Sequence, residues 1–557
     1  MSTPVARPPS KRPTPEESKQ PPQNEQVNSL LYNQRCSDIW MLLLGLRFIN
    51  ALCVRTFFQP DEYFQSLEPA WQMAFGSESG AWITWERMAV SAALFLTSGS
   101  FRATVLAVLP NIVQAYFAAV GDYYTWQLSE KIYGRGSNAN WASLLMTIFS
   151  PWQWFCSTRT FSNCLETTMT ITALNFWPWK FSSDSVLDES AGVKETAVAP
   201  AKISIFEEPG SVKGLITSLL LAGTACILRP TNALIWFSIV MATITRFFSG
   251  SRLKPSDYLF LIRQVVLFGL VILFVSGISD RLYFGEWTFP PYQFLNFNVN
   301  QDLAVFYGRN VWHYYLSQGL PLLLTTYLPF ALIGLWNSAS LPAGNIRFLL
   351  ATTILVTVST LSLIAHKEVR FIYPLLPLLH ILAAPSISAF FHTPQNRTTH
   401  PTPVPTTTTT TTAPTIHRKP LLALLLLLNL SIAAFTTLNH QRGVLSVLTF
   451  LRHEYETTHP TLLDPNGALR PSSHDTDTKI ETFAAFLMPC HSTPWRSKLS
   501  HPSLHAWALT CEPPLHLTAR TPERAAYRDE ADRFYDDPQR FFREEIGVAG
   551  GERPWPP

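Results

Sequence analysis

Long apolar segments recur along most of the chain, separated by short polar stretches. They lie at about residues 39–54, 88–99, 103–120, 141–157, 164–179, 212–228, 231–247, 257–279, 318–336, 347–365, 370–391 and 419–438. Their apolar residues are continuous rather than alternating, which predicts spanning helices and not the strands of a β-barrel. A spanning helix needs about 17 to 25 residues, and because several segments are shorter, we expect about 10 to 12 spans.

The pattern predicts an all-α polytopic membrane protein. Residues 38–391 would form the transmembrane region, and residues 419–438 the last transmembrane helix. Residues 1–37 are polar and rich in proline, so we expect a disordered tail. Its arginines and lysines favour the cytosolic side, which places the first loop, residues 55–87, on the lumenal side.

Polar segments interrupt and follow the apolar pattern. Residues 181–211 form an acidic insert, and residues 392–418 contain an unbroken threonine tract among prolines, which is typical of a linker. The linker holds a glycosylation sequon at Asn396. Residues 439–557 are mixed in composition and predict a small C-terminal soluble region, which the proposed orientation makes lumenal.

Composition agrees with a membrane protein and excludes one function class. The chain has 557 residues, of which 15% are charged, compared with about 25% in soluble domains. A net charge of +3 over this length does not suggest a nucleic-acid-binding protein. The seven cysteines form no CxxC pair, so a zinc or redox site has little support. Cys490 and Cys511 would form a disulfide in an oxidising lumen, or would be two unrelated thiols.

Two adjacent carboxylates follow the first apolar segment. Asp61 and Glu62 lie in the sequence Phe57-Phe58-Gln59-Pro60-Asp61-Glu62-Tyr63-Phe64-Gln65-Ser66-Leu67-Glu68. We call residues 57–68 the carboxylate loop. Acidic side chains beside a bilayer are costly to bury and often mark functional sites.

Charged and aromatic residues also concentrate at five other boundaries between apolar segments. These are residues 121–124, 158–166, 228–232, 280–308 and 365–371. Each has an alternative explanation, because charges at helix ends complement helix dipoles and aromatic residues form interfacial belts. Helix dipoles and interfacial belts explain residues 365–371 less well, since His366, Lys367 and Arg370 flank Glu368 in the sequence. On a helix, His366 and Arg370 would share one face.

This cation cluster, residues 366–370, suits a phosphate at the membrane surface, with arginine as a fork and lysine as a point charge. Opposite a pair of carboxylates, it suggests glycosyl transfer from a lipid-phosphate sugar. A carboxylate would deprotonate the acceptor hydroxyl, and the cations would stabilise the departing phosphate. From these residues alone, this is one hypothesis among several.

An ordered set of motifs makes the hypothesis specific. The chain resembles the dolichyl-phosphate-mannose-dependent mannosyltransferases (glycosyltransferase family 22) in Pro60-Asp61-Glu62, Thr84-Trp85-Glu86, Arg159-Thr160-Phe161-Ser162-Asn163, Arg229-Pro230-Thr231-Asn232 and His366-Lys367-Glu368-Val369-Arg370-Phe371. The resemblance implies a GT-C-type multi-helix transmembrane bundle with lumenal loops, in the endoplasmic reticulum membrane. Residues 121–124, 296–315 and 486–494 resemble members that act on the GPI-anchor precursor. They imply addition of its third mannose, in α-1,2 linkage and with inversion.

The resemblance also assigns roles to residues. Asp61 would be the general base, or would position the acceptor hydroxyl, and Glu62 would support it. The implied substrate-binding residues are Gln65, Glu68, Glu86, Asp122, Arg159, Asn163, Arg229, His366, Lys367, Glu368 and Arg370. The implied partners are a lipid-linked sugar donor and a glycolipid acceptor. Such a donor has no diphosphate for a metal to chelate, so no metal and no cofactor are expected.

The chain departs from the family pattern at two places. Val369 stands where a second acid is usual, and the segment after Glu86 is shorter than expected. Two alternatives remain open. One is a sister mannosyltransferase that acts on the dolichol-linked oligosaccharide or adds the fourth GPI mannose. The other is a membrane transporter that uses the charged residues as a translocation path.

Overall fold

Helices make up most of the protein. The computed structural model describes residues 23–75, 99–183, 204–207, 210–249, 253–301, 303–392, 416–458, 482–501, 504–517 and 521–546. The helices up to the predicted last span are α1 Gln23–Cys53, α2 Glu68–Phe75, α3 Gly99–Tyr133, α4 Asn138–Ile148, α5 Pro151–Cys156, α6 Ser162–Phe176, α7 Ser211–Leu228, α8 Ala233–Phe248, α9 Pro255–Phe284, α10 Pro290–Leu295, α11 Leu320–Leu324, α12 Leu328–Ala339, α13 Ile346–Leu363, α14 Leu376–Phe391 and α15 Lys419–Leu438.

The predicted all-α polytopic fold is confirmed. Within the described ranges, eight helical segments are long and apolar enough to cross a membrane: Val27–Cys53, Ser211–Leu228, Pro230–Phe248, Pro255–Phe284, Tyr315–Ala339, Ile346–Leu363, Val369–Phe391 and Lys419–Thr458. The apolar segment at residues 141–157 is divided into α4 and α5. The Ser150 side chain caps α5 and Pro151 starts it, and proline has no N–H with which to continue the preceding helix.

The first helix begins earlier than the sequence pattern predicted. The polar composition predicts a disordered tail up to residue 37, but α1 starts at Gln23. Contacts with a distant part of the chain favour the helix there. The Tyr32 hydroxyl donates a hydrogen bond to Glu130 (3.0 Å), and the Arg135 guanidinium lies 4.1 Å from the centre of the Tyr32 ring. Such contacts cannot be inferred from local polarity.

The bundle is built from pairs of packed helices. The long helix α3 packs against α1 and α6, α7 packs on α6, and α14 packs against α4 and α12. The core is apolar at positions such as Leu174, Leu350 and Leu382, which are fully buried. In contrast, α9 exposes large apolar side chains along most of its length, including Leu259 and Phe274. Such a surface is stable in contact with lipid chains.

The C-terminal region combines helices with a small sheet. Its elements are α16 Gly443–Thr458, β1 Thr482–Phe486, α17 Arg496–Leu499, β2 Leu504–Ala508, α18 Pro522–Ala525, α19 Glu530–Asp536 and α20 Pro538–Phe541. The strands β1 and β2 are parallel, with Ala484 opposite Ala506. A disulfide joins Cys490 to Cys511, which decides between the two alternatives that the cysteine positions left open.

Several sequence predictions concern residues outside the described ranges. Glu86 and the short segment after it are among them, as are the sequon at Asn396, the threonine tract and most of the 181–211 insert. The ends of the predicted linker are described and lie together, because the His417 backbone N–H donates to the Phe391 carbonyl (2.7 Å).

Candidate active site

The carboxylate loop starts as a tight helical turn. The backbone N–H groups of Tyr63 and Phe64 both donate to the Pro60 carbonyl (2.9 Å each), and a π-helical turn continues over Tyr63–Leu67. Proline suits the first position of such a turn, because it has no N–H to satisfy. Phe57 stacks on Tyr63 with ring centres 5.7 Å apart. The turn therefore holds Asp61 and Glu62 in fixed directions.

Asp61 meets the cation cluster. Its carboxylate accepts a hydrogen bond from Nη1 of Arg370, 309 residues away in the chain. The Asp61 side chain is 21% exposed, whereas Arg370 is buried, so only the carboxylate side of this ion pair is accessible. The structure thus brings together the two groups that the sequence analysis placed on opposite sides of a reaction.

Arg370 is held at the same time by Glu368. Nε of Arg370 donates to Oε2 of Glu368 (2.7 Å), and Nη2 donates to Oε1 (2.8 Å). This two-pronged contact fixes the plane of the guanidinium. One arginine therefore bridges two carboxylates.

His366 completes the cluster, although not in the way predicted. The backbone leaves α13 at Leu363 and re-enters a 3₁₀ helix only at Val369, so His366 and Arg370 do not share a helix face. Pro374, inside this 3₁₀ helix, and Pro377, at the start of α14, limit regular helix before them. Nε2 of His366 instead faces Oε1 of Glu368 (3.1 Å), and its Nδ1 faces the Gly308 carbonyl (3.0 Å).

These contacts favour the charged forms of His366 and Glu368. The hydrogen bond with Glu368 outweighs burial and raises the pKa of His366. Burial alone would raise the pKa of Glu368, but the hydrogen bond from His366 and the charge of Arg370 lower it to about 2. Both ring nitrogens of His366 face acceptors, an arrangement that suits the imidazolium. Lys367 is buried, and its Nζ donates to the Asn310 carbonyl (3.3 Å).

Glu62 points the other way, into the protein. It is 3% exposed and pairs with Nη1 of Arg159 (3.1 Å), which is fully buried. Arg159 also donates to the carbonyls of Thr56 and Phe155 (2.6 Å each). Burial raises the pKa of Glu62, and the charge of Arg159 opposes that effect. The structure therefore places Glu62 and Arg159 in a buried support for the loop.

A second buried network contains Asn163 and a carboxylate that the site prediction left out. Glu166 accepts hydrogen bonds from Asn163 and from Asn232 (3.0 Å each). It also lies close enough to Arg229 for their charges to interact. The Arg229 guanidinium is 5.4 Å from the centre of the Phe371 ring, and the charges of Asp61 and Glu368 act on it as well. Arg229 is thus a further cation beside the cluster.

Asp122 lies away from the ion pairs of the loop. It is fully buried and accepts from Nε of Arg47 (2.5 Å) and from Nε2 of Gln153 (2.8 Å). The same Gln153 accepts a hydrogen bond from the Tyr373 hydroxyl. Two hydrogen bonds thus connect Asp122 to Tyr373, which lies on the same 3₁₀ helix as Arg370.

The remaining predicted substrate-binding residues are Gln65, Glu68 and Glu86. Gln65 is exposed. Glu68 is buried and accepts from the backbone N–H of Ser497 in the C-terminal region (2.9 Å). The predicted role of Glu86 lies outside the described residues.

One set of side chains within the described ranges has the spacing of a metal site. The ligand atoms of Cys490, His491 and Cys511 lie within 4.8 Å of one another. The two cysteines form a disulfide, so neither offers the thiolate that a metal requires. That no metal takes part in the reaction stays a prediction.

Comparison with known proteins identifies the family. Residues 38–500 match the model of the Alg9-like mannosyltransferase family. The chain is 48% identical to GPI mannosyltransferase 3 of Gibberella zeae, over 92% of this chain and 85% of that one. It is 31% identical to GPI alpha-1,2-mannosyltransferase 3 of Mus musculus, over 91% of this chain and 78% of that one.

Among solved structures, ArnT from Cupriavidus metallidurans bound to undecaprenyl phosphate is similar, with a TM-score of 0.47 and 11% identity over 93% of this chain and 89% of that one. The family resemblance inferred from the motifs is confirmed by the sequence relatives and by the family match. The chain is a polytopic membrane enzyme and belongs to the Alg9-like mannosyltransferase family.

Proposed function

We propose that this enzyme adds the third mannose to the GPI-anchor precursor, in α-1,2 linkage. The donor is dolichyl-phosphate-mannose, and the reaction takes place at the lumenal face of the endoplasmic reticulum membrane. The names of relatives that align over most of the chain support the acceptor, and the name of the murine relative supports the linkage. The disulfide between Cys490 and Cys511 supports a lumenal C-terminal region, because the lumen is oxidising.

The observation that carries the proposal is the ion pair between Asp61 and Arg370. It joins the carboxylate loop to the cation cluster, and its Asp61 side is partly exposed. A transferase of this kind needs a base beside the acceptor hydroxyl and positive charge beside the departing phosphate. The ion pair supports this assignment, because it brings a candidate base next to a candidate phosphate-binding cation.

The reaction follows as a single displacement. Asp61 takes the proton of the acceptor hydroxyl while the hydroxyl oxygen attacks the anomeric carbon of mannose. The bond from that carbon to the phosphate oxygen breaks, and its electron pair leaves with dolichyl phosphate. Because the donor is β-linked and the product α-linked, one displacement with inversion is sufficient, and no covalent intermediate is needed.

The cation cluster receives the phosphate. Arg370 is shared between Glu368 and Asp61 in this structure. A phosphate that binds Arg370 competes with Asp61 for Nη1, which frees the Asp61 carboxylate for the acceptor. Glu368 keeps the guanidinium in place through its two contacts. His366 and Arg229 add positive charge to the same region, and the reaction uses no metal or cofactor.

The acceptor is tested by depletion of the enzyme in its own cells. We expect a GPI precursor with two mannoses to accumulate. Membranes that contain the enzyme should transfer labelled mannose from dolichyl-phosphate-mannose to that precursor. Accumulation of a three-mannose precursor or of a truncated dolichol-linked oligosaccharide would instead identify a sister mannosyltransferase. Binding and flux without incorporation of mannose would favour a transporter.

A further inference from the structure

The C-terminal region packs directly on the carboxylate loop. Phe57, Tyr63 and Phe64 form one buried apolar cluster with side chains from α16, the sheet and α17: Leu448, Tyr455, Phe486, Trp495, Leu499 and Leu504. The hydrogen bond from Ser497 to Glu68 ties the end of the loop to α17. The loop that carries Asp61 is therefore clamped between the bundle and the C-terminal region.

His491, the residue after the disulfide cysteine Cys490, also contacts the carboxylate loop. Its ring meets the Phe64 ring edge to face, with ring centres 4.5 Å apart and planes at 82°. Phe64 is 2% exposed and lies in the same helical turn as Asp61. A shift of Phe64 therefore moves the backbone that carries Asp61.

The backbone of His491 has an unusual conformation. Its φ angle is +55°, in the left-handed region that is uncommon for residues other than glycine, although histidine occupies it more often than most. A residue keeps such a backbone conformation only where its neighbours stabilise it. Residues of this kind occur often at functional sites. Here the neighbouring Cys490 is covalently tied to Cys511, whose Sγ lies 3.4 Å from Nδ1 of His491. The disulfide thus fixes both the backbone and the ring.

We propose that His491 is a positioning residue for mannose transfer: held by the Cys490–Cys511 disulfide, its ring fixes Phe64 and so sets the position of Asp61. This inference rests on the proposed role of Asp61 as base. Nδ1 of the ring faces a disulfide sulfur, which has no hydrogen to donate, so this contact favours the ring with its proton on Nδ1.

The electrostatic surroundings of His491 favour a role in packing rather than in proton transfer. Burial lowers the pKa of His491, and the negative charge of Asp61 opposes that effect. The net result is a neutral ring at neutral pH. A neutral aromatic ring can be replaced by phenylalanine, which keeps the edge-to-face contact.

The test compares three variants in membranes, with dolichyl-phosphate-mannose as donor and the two-mannose GPI precursor as acceptor. His491→Ala should lower kcat at least about tenfold with little change in the donor KM, because a misplacement of about 1 Å can reduce a rate about a hundredfold. His491→Phe should restore most of kcat. His453→Ala, at an exposed position of α16, is the matched control and should behave as wild type.

The disulfide is tested separately. The double variant Cys490→Ser/Cys511→Ser should lower kcat as His491→Ala does, whereas Cys53→Ser, at a free cysteine, should not. Thermal unfolding in detergent is measured for each variant, so that a loss of folded enzyme is not read as a loss of kcat per folded molecule.

Two results would overturn the inference. One is an unchanged kcat in His491→Ala. The other is an equal loss in His491→Ala and His491→Phe, which would mean that the aromatic contact does not matter. If wild-type enzyme transfers mannose only to another acceptor, the proposed function fails, and the same variants measured on that acceptor still decide the role of His491.

Discussion

Replacing Asp61 by asparagine removes a negative charge and keeps the size of the side chain. Asp61 is 21% exposed and is one of two partners of Arg370. In the Asp61→Asn variant, Arg370 keeps its contacts with Glu368, and the amide oxygen can still accept a hydrogen bond. We therefore expect a loss of folding stability of only about 1 kcal/mol. Loss of a general base lowers a rate by about 10²- to 10⁴-fold, or about 2.7 to 5.4 kcal/mol in transition-state stabilisation.

The substitution Glu62→Gln, at the next residue, should mainly reduce folding stability, whereas Asp61→Asn should mainly reduce the rate. Glu62 is 3% exposed, and its partner Arg159 is fully buried. Removing one member of a buried ion pair typically costs about 3 to 5 kcal/mol, because the other charge stays buried without compensation. That is a large fraction of the stability of a typical domain. Glu62→Gln should therefore reduce the amount and the melting temperature of the enzyme.

The assay measures both quantities on the same preparations. Initial rates of labelled mannose transfer give kcat per folded enzyme, and thermal unfolding in detergent gives stability. Asp536→Asn, at an exposed position of α19, is the matched control. The reasoning is refuted if Asp61→Asn keeps more than about a tenth of the wild-type kcat, or if Glu62→Gln melts at the wild-type temperature.

Two further predictions concern the cation cluster. Arg370→Lys keeps the charge but loses the fork that contacts Glu368 and Asp61 together, so transfer should fall at least about tenfold while the enzyme stays folded; wild-type rates would contradict this. The raised pKa of His366 means that its charge is present at low pH and is lost as pH rises through that pKa. The KM for the donor should therefore increase with pH in this range. In His366→Gln, the KM should no longer depend on pH. An equal pH dependence in both proteins would show that His366 does not bind the phosphate.

The bundle could be predicted from the sequence because lipid imposes a simple rule. A segment such as α9 must be apolar on nearly every side, and its composition shows this without knowledge of its neighbours. The boundaries at residues 23–37 and 141–157 could not be found in the same way. The first depends on the contact of Tyr32 with a residue 98 positions away, and the second on a cap and a proline inside an apolar segment.

The residues of the site could be predicted from the sequence, but the contacts between them could not. The residues of the cation cluster were found from their charges, yet their geometry comes from a loop that enters a 3₁₀ helix and not from a helix face. Glu166 was missed, although a glutamate three residues after Asn163 inside an apolar helix is a signal that could have been used. The buried partner of Asp122 could not be predicted, because Arg47 lies on another helix, 75 residues away.

The opposite directions of Asp61 and Glu62 follow from their being adjacent on a helical turn. Successive side chains on a helix are rotated by about 100°, so two neighbouring acids point in different directions. The turn that starts at Pro60 sends Glu62 to Arg159 in the interior, whereas Asp61 pairs with Arg370 and stays partly exposed. Fixing one acid in the interior limits the freedom of the other at the surface. The pair therefore works as an anchor and a reacting group, and its spacing in sequence is the reason why the roles differ.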